Sequence, residues 1–412
     1  MEPDDPGRVP ANQRSVRRHN LGVVLRHVAE LGPRSRATIA QGTGLNKTTV
    51  SSLVGELLEA GLVRETEVQM LGTVGRPALP VELDGRSVIG LGLEVGVDFL
   101  AVRAVDLRGT ERHLDRVEVD NRGREVDAVL EDIVRLATDV FERAQRSGLL
   151  PVGAVVAMPG LVDSTGRLLT APNLGWTGVP VAAELTDRLG APAFQVRAEN
   201  EANLGALAEL WEGAGRKLRD FIYISGELGI GAGIIVGREL FRGTHGFGGE
   251  LGHMTIEPEG ARCACGNRGC LETRVALGRL NTAAGLEPDA GAAELAERAQ
   301  ARDARALEAL EAAGHWLGVA VASAANLLNP DGVVVGGYLA RLGEWLVPGL
   351  EAELAARVLS AEWDVPRVVT SALGAEAAVR GAAALALRRV LEDPAVVGEL
   401  AGAAATTSAD AE

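Results

Sequence analysis

Three cysteines and a histidine crowd into one short polar stretch of this 412-residue sequence. Residues 248–272 read GGELGHMTIEPEGARCACGNRGCLE and contain Cys263, Cys265 and Cys270, all the cysteines of the chain. His253, one of six histidines, precedes the first of them by ten residues. Thiolate sulfur and imidazole nitrogen are the donors zinc favours, and four of them close a tetrahedral structural site with no position for a catalytic water. Gly252, Gly266 and Gly269 let so short a loop turn its side chains onto one point. A buried loop of free thiols is the plainer alternative, because cysteine often serves as a small apolar residue. The polar, glycine-rich surroundings favour one structural Zn2+ on His253, Cys263, Cys265 and Cys270. Two carboxylates, Glu250 and Glu272, frame these ligands without being needed by them, which leaves both for another partner.

The elements that must hold this loop belong to a chain long enough for two or three domains. Its net charge of −15 argues against general affinity for nucleic acid or membrane surface. The charge is uneven: residues 8–51 carry eight basic side chains against the single acid Glu30. A basic head on an acidic body suggests that one part meets an anionic polymer. Three cysteines within eight residues make no disulfide framework. The N-terminus opens with Glu2, Asp4 and Asp5 rather than a basic and then apolar run, and no segment has the apolar length of a membrane span. A cytoplasmic protein is expected, nucleoid-associated when bound to DNA.

Residues 1–13 read as disordered. Apolar residues at helical spacing then predict a helix from about Ser15 to Gly32-Pro33, a second short helix from Ser35, and a third over 47–60 capped by Asn46. The third buries Val50, Leu53, Val54, Leu57 and Leu58 on one face and presents Lys47, Thr48, Thr49, Ser51 and Ser52 on the other. Two helices around a Gly-containing turn, the second opening with small polar and basic groups, make a helix-turn-helix, with Arg36 at the start of the first. Strands over 61–68 and 76–83 around a turn at 72–75 would form a wing with Arg76 near its tip, aimed at phosphate or a narrow minor groove. A plain helical hairpin is the competing reading; the charge asymmetry and the wing favour DNA. From residue 86 onward, hairpin-linked strands followed by alternating strands and helices predict an α/β body with a mixed sheet. The last twenty residues, 393–412, read as a disordered tail.

With these parts in place the chain resembles the ROK family, on its GELGHM run, its Cys-x-Cys-Gly-x-x-Gly-Cys-Leu-Glu run and its helix-turn-helix. The resemblance spans nearly the whole chain and implies an N-terminal winged helix-turn-helix (14–84) followed by an actin-like, ribonuclease H-like two-lobed domain (86–392). Lobe 1 would cover about 86–198 plus 375–392, and lobe 2 about 199–374. The winged head marks the repressor branch, which includes xylose repressors. The family implies that Glu250, His253 and Glu272 contact sugar hydroxyls together with Asn173, Asn200 and Glu201. Turn and helix-cap duty is the alternative for the two asparagines. It also implies operator DNA as partner of residues 14–84, a monosaccharide or sugar derivative as effector, and a homodimer or dimer of dimers.

The competing activity is an ATP-dependent sugar kinase. Kinases of this family carry Asp-x-Gly-Gly-Thr after the first strand of the body, where this chain has Glu94-Val95-Gly96-Val97-Asp98. Glu201 stands where the kinase base is Asp, and a shift of about 1 Å in such a group costs on the order of a hundredfold in rate. Glu227 puts another acid where phosphates would lie, and like charges repel ATP. A sensor without catalytic residues is therefore expected, with Glu201 as the vestigial base position.

Overall fold

The computed structural model describes residues 12–66, 79–190 and 195–409. The chain opens with three helices, α1 (Gln13–Leu31), α2 (Arg36–Thr43) and α3 (Lys47–Glu59). Each starts on a side-chain cap: Asn12 accepts the Ser15 N–H, Ser35 that of Thr38 and Asn46 that of Thr49. These caps satisfy N–H groups that a helix cannot pair internally. Gly44 ends α2 at φ +73°, a left-handed geometry that turns the chain into α3. The stripe Val50, Leu53, Val54 and Leu57 is buried with Leu21, Val24, Leu25 and Val28 of α1. Strands β1 (Val63–Glu65) and β2 (Val81–Leu83) pair antiparallel, and Arg34 bridges to β2 from the α1–α2 connection. They form the base of the expected wing. Its tip with Arg76, like residues 1–11, lies outside the described residues.

The body begins with β3 (Val88–Val95), β4 (Phe99–Asp106), β5 (Glu111–Glu118), α4 (Val126–Arg146) and β6 (Leu150–Met158). Three short strands follow, β7 (Leu161–Val162), β8 (Leu168–Ala171) and β9 (Trp176–Val179), then α5 (Val181–Leu189), β10 (Val196–Asn200) and α6 (Glu201–Trp211). The first sheet has the order β10-β6-β3-β4-β5. Its antiparallel half is a meander, and its parallel pairs are joined by crossovers through α4 and α5. Strands β7–β9 form their own small antiparallel sheet, which the sequence pattern did not announce because each is too short to show a period.

Next come β11 (Phe221–Gly226), β12 (Ile230–Val236), β13 (Glu239–Phe241), α7 (Glu272–Val275), α8 (Leu277–Ala283), α9 (Ala292–Gln300) and α10 (Ala304–Leu328). The chain ends with β14 (Gly332–Gly336), α11 (Gly337–Arg341), α12 (Gly343–Arg357), β15 (Arg367–Thr370), α13 (Ala377–Glu392) and α14 (Val396–Ala409). The second sheet runs β13-β12-β11-β14-β15.

Helix α13 ties the parts together. Ala382 and Ala386 share one core with Val155 and Ala157 of the first sheet, Tyr223 and Val334 of the second, and Leu204 of α6. At its C-terminal end α1 lies so close that a Cβ on Gly22 would meet the Glu392 carbonyl oxygen at 2.3 Å. Arg18 pairs with Asp393 and, at 2.9 Å, with Glu399 of α14. The expected disordered tail is thus corrected. Val396, Val397 and Leu400 of α14 are buried in the same core as α1 and α3. Small residues made that segment look like low complexity, but three apolar positions at i, i+1 and i+4 suffice for one buried face.

Candidate functional site

The strand β13 runs into a long loop that returns through a 3-10 turn, Leu251–His253, and a knuckle over 261–270 before entering α7. Within the knuckle, Cys263 N–H reaches the Asn267 carbonyl at 2.8 Å and Gly266 N–H the Cys263 carbonyl at 3.0 Å, so Cys263 and Cys265 turn toward one point. The donor atoms of His253, Cys263, Cys265 and Cys270 all lie within 4.8 Å of one another. His253 Nδ1 is 3.7 Å from Cys263 Sγ, and Cys265 Sγ is 3.7 Å from Cys270 Sγ. A tetrahedron with metal–sulfur bonds of about 2.3 Å has edges of about 3.8 Å, so the four donors already stand at metal-binding separations. Burial and the neighbouring sulfurs push the Cys270 thiol up to about 12, and burial raises that of Cys263 as well. Without a cation three thiolates cannot share this space; a divalent metal removes that penalty. The donor set fits such an ion.

The knuckle also sets the spare carboxylates. Glu272, the first residue of α7, has Oε1 3.8 Å from Cys263 Sγ, while Oε2 accepts the Ile230 N–H at 3.1 Å. A Cβ at Gly229 would lie 2.3 Å from Glu272 Oε2 and 3.9 Å from Asn173 Nδ2, so bare backbone at Gly229 lets these two groups converge. Partial desolvation raises the Glu250 carboxyl; His253 works against that rise and Glu272 adds to it. Because Nδ1 of His253 faces the sulfurs, Nε2 is the atom left for other partners.

Beside this group a cleft of about 560 Å³ opens between the sheets. Asn173 and Glu201 line it, together with Glu94, Asp98 and Glu227; residues 277–278, 288–292, 337–338 and 340–341 form a wall that the sequence did not point to. Asn200 behaves differently from Asn173. Its Oδ1 caps α6 by accepting the Ala202 and Asn203 N–H groups, and its Nδ2 donates to the Gly160 carbonyl at 2.9 Å. The amide is committed to holding β10, α6 and the Gly160 turn in register, which is the cap alternative in physical form.

Three acids, Glu94, Glu201 and Glu227, converge on the cleft floor. Glu94 is only 4% exposed, and its Oε2 has no hydrogen-bond partner. Burial, then Glu227 and Glu201, raise its carboxyl well above the usual range. Burial pushes Glu201 up to about 7; burial, Glu201 and Asp98 push Glu227 up to about 8.

On the head, Lys47, Thr48, Ser51 and Ser52 are exposed and Thr49 half-buried on the outer face of α3. Ser52 Oγ accepts from Arg17 at 3.0 Å, and Arg36 is held by Glu65 at 2.8 Å. Two of the expected DNA contacts are therefore partly occupied within the head itself. Among the described residues no helix is long and apolar enough to cross a membrane.

A helix-turn-helix head joined to a two-sheet, actin-like body with a polar cleft defines a class of ligand-binding protein built on a sugar-kinase fold. The chain belongs to the ROK family, whose model matches residues 90–389, and a model of the IclR helix-turn-helix domain matches residues 21–67. It is 30% identical over 391 residues to the xylose repressor of Bacillus subtilis (strain 168), covering 93% of this chain and 98% of that protein. It is 29% identical over 389 residues to the N-acetylglucosamine repressor of Shigella flexneri, covering 91% and 94%. A solved ROK family transcriptional regulator, homologous to the Escherichia coli MLC protein, superposes with a TM-score of 0.78 at 26% identity, covering 93% of this chain and 99% of that one. A ROK family glucokinase from Streptomyces griseus, solved with glucose and AMPPNP, gives 0.64 at 26% identity, covering 73% and 99%.

Proposed function

We propose that this chain is a sugar-responsive transcriptional repressor of carbohydrate uptake or catabolism genes. It acts in the cytoplasm as a homodimer, or a dimer of such dimers, that sets two winged heads (residues 14–84) on a palindromic operator. A monosaccharide bound in the cleft releases it. The observation that carries this reading is the reach of α13. Its first residues, Ala377 and Ala378, line the pocket beneath the cleft beside Glu94, and its last residue, Glu392, is packed against Gly22 of α1 in the head. A helix of this length spans about 24 Å without bending, so a change of lobe angle at one end must be felt at the other.

Sugar recognition follows from the polar groups beside the cleft. Glu272 and Glu250 accept hydroxyl hydrogens, His253 Nε2 donates to a hydroxyl oxygen, and Asn173 closes from the β8–β9 turn. Asn200 and Glu201 shape the opposite wall, with one amide hydrogen of Asn200 and the Glu201 carboxyl left for the sugar. Zinc, held by His253, Cys263, Cys265 and Cys270, supplies a fixed tetrahedral scaffold. Each buried polar group left unpaired by the wrong sugar is costly, which is how such a set selects. Lys47, Thr48, Thr49, Ser51 and Ser52 meet the major groove, and Arg36 and Arg76 the backbone or minor groove.

Phosphoryl transfer is disfavoured because Glu94 and Glu227 face the space that nucleotide phosphates would need. The test is operator binding by fluorescence anisotropy, with and without xylose, glucose, N-acetylglucosamine and their 6-phosphates, beside an ATP-coupled assay on the same panel. Release by one sugar without turnover is expected. Turnover at ordinary kinase rates, or operator affinity indifferent to every sugar, would sink this reading.

A further inference from the structure

At the bottom of the cleft a cavity of about 10 Å³ is walled by Glu94, Glu201, Glu227, Tyr223 and Ser225, with the start of α13 as its floor. That volume is about one water-sized sphere. No lysine or arginine lines it. The cation that bears on Glu94 and Glu227 is Arg116, which lies over the Phe99 ring at 3.5 Å and is hydrogen-bonded to Glu118 at 2.8 Å. Glu94 keeps a fully buried, unpartnered oxygen. Buried acceptors in native folds nearly always have a donor, so an unpartnered one on a cavity wall marks a missing partner. A partner here enters with a tip no larger than water and donates several hydrogen bonds at once, and three carboxyls with no lysine or arginine among them suit a positive charge. A bare metal ion fits less well. Among the described residues, only the His253–cysteine group brings metal-donor atoms together closely enough.

We propose that this pocket is a subsite for a primary ammonium group, carried by a small organic amine that enters through the cleft. An ammonium offers three N–H donors to Glu94, Glu201 and Glu227 and neutralises their mutual repulsion. Its contact with Glu94 would also hold the first turn of α13, so the amine and the sugar would act on the same helix. This proposal rests on the reading that the cleft does not take a nucleotide. Binding requires ionised carboxylates, and Glu94, Glu201 and Glu227 all sit above their usual range through burial, with Glu227 and Glu201 adding to Glu94, Glu201 and Asp98 adding to Glu227, and Arg116 opposing at Glu94 and Glu227. The amine must therefore displace protons, and its affinity must rise with pH.

The experiment is calorimetric titration of 1,4-diaminobutane onto the zinc-loaded full chain at fixed ionic strength, in two buffers of different ionisation enthalpy. The expected result is saturable binding with proton release, tightening about tenfold per pH unit while one proton is displaced. It should weaken at least about tenfold in both Glu94→Gln and Glu227→Gln, each checked for an unchanged fold by circular dichroism, since a charged hydrogen-bond partner is lost. If one variant does not fold, the other decides. Equal binding of tetramethylammonium, which has no N–H, would overturn the proposal. So would binding of potassium or magnesium in place of the amine, no amine binding, or variants that bind as the parent does. AMPPNP titrated in parallel separates the two readings. Nucleotide binding would defeat the sensor function, whereas absence of both nucleotide and amine binding would defeat only the subsite.

Discussion

Beside the cysteine knuckle, Glu272 accepts the Ile230 N–H at 3.1 Å and lies 3.8 Å from Cys263 Sγ before any ligand arrives. At the floor, Glu94 is more deeply buried yet leaves one oxygen unpartnered, facing two further carboxyls. The first arrangement is preorganised, because a backbone N–H holds Glu272 in position before any ligand arrives. The second offers a phosphate no lysine or arginine to pair with. On the proposed reading the same residue type serves recognition at one end and exclusion at the other, and the visible difference is that the fold supplies Glu272 with a donor and leaves one oxygen of Glu94 without one.

Removing the metal should break this contrast most completely. Cys265→Ala is expected to lower zinc from about one to about zero per chain, and to abolish the sugar response, since structural zinc contributes on the order of 10 kcal/mol to such a loop. Elemental analysis and operator release check it; a full response without zinc would remove the scaffold role. Glu272→Ala should weaken sugar binding by about 2–3 kcal/mol while leaving operator affinity in the absence of sugar unchanged, as measured by calorimetry and anisotropy.

The floor should reveal itself through pH. Glu227 and Glu201 have folded-state pKa values of about 8 and about 7, above those of an unfolded chain, so the folded protein binds more protons than the unfolded one. Stability should therefore fall as pH rises from about 4.5 through about 8. Glu227→Gln should flatten that decline and be more stable by ~2 kcal/mol at about pH 9, after allowance for solvent screening. Denaturant melts across this range check both points.

How far these regions could be read beforehand depends on how local they are. The cysteines and His253 lie within eighteen residues, and their chemistry names its own partner. The head was equally legible, because Asn46 and the Val50–Leu53–Val54–Leu57 stripe carry cap and period in one segment. Glu94, Glu201 and Glu227 come from three strand and helix ends far apart in the chain, and only folding reveals their shared cavity. Asn200 shows what folding adds to a motif, since its Oδ1 and one amide hydrogen are taken up by α6 and Gly160 and only the second hydrogen remains. Helix α14 was missed because its alanines hid three buried apolar residues that matter only once α1 is beside them.

Smaller effects should come from the head. Lys47→Ala is expected to cost about 1 kcal/mol of operator affinity and reduce the salt dependence by about one phosphate contact, with sugar affinity untouched. Arg18→Ala, which cuts the ties to Asp393 and Glu399, should leave both affinities within about 0.5–1 kcal/mol but reduce the coupling between them.

Coupling between cleft and head is the central claim, and one titration tests it most directly. Sugar affinity is measured by calorimetry on the zinc-loaded protein, once free and once saturated with operator. Linkage requires operator to weaken sugar binding by the same factor by which sugar weakens operator binding. A matching factor of about fivefold or more is the predicted result; identical sugar affinity in the two states would contradict the account.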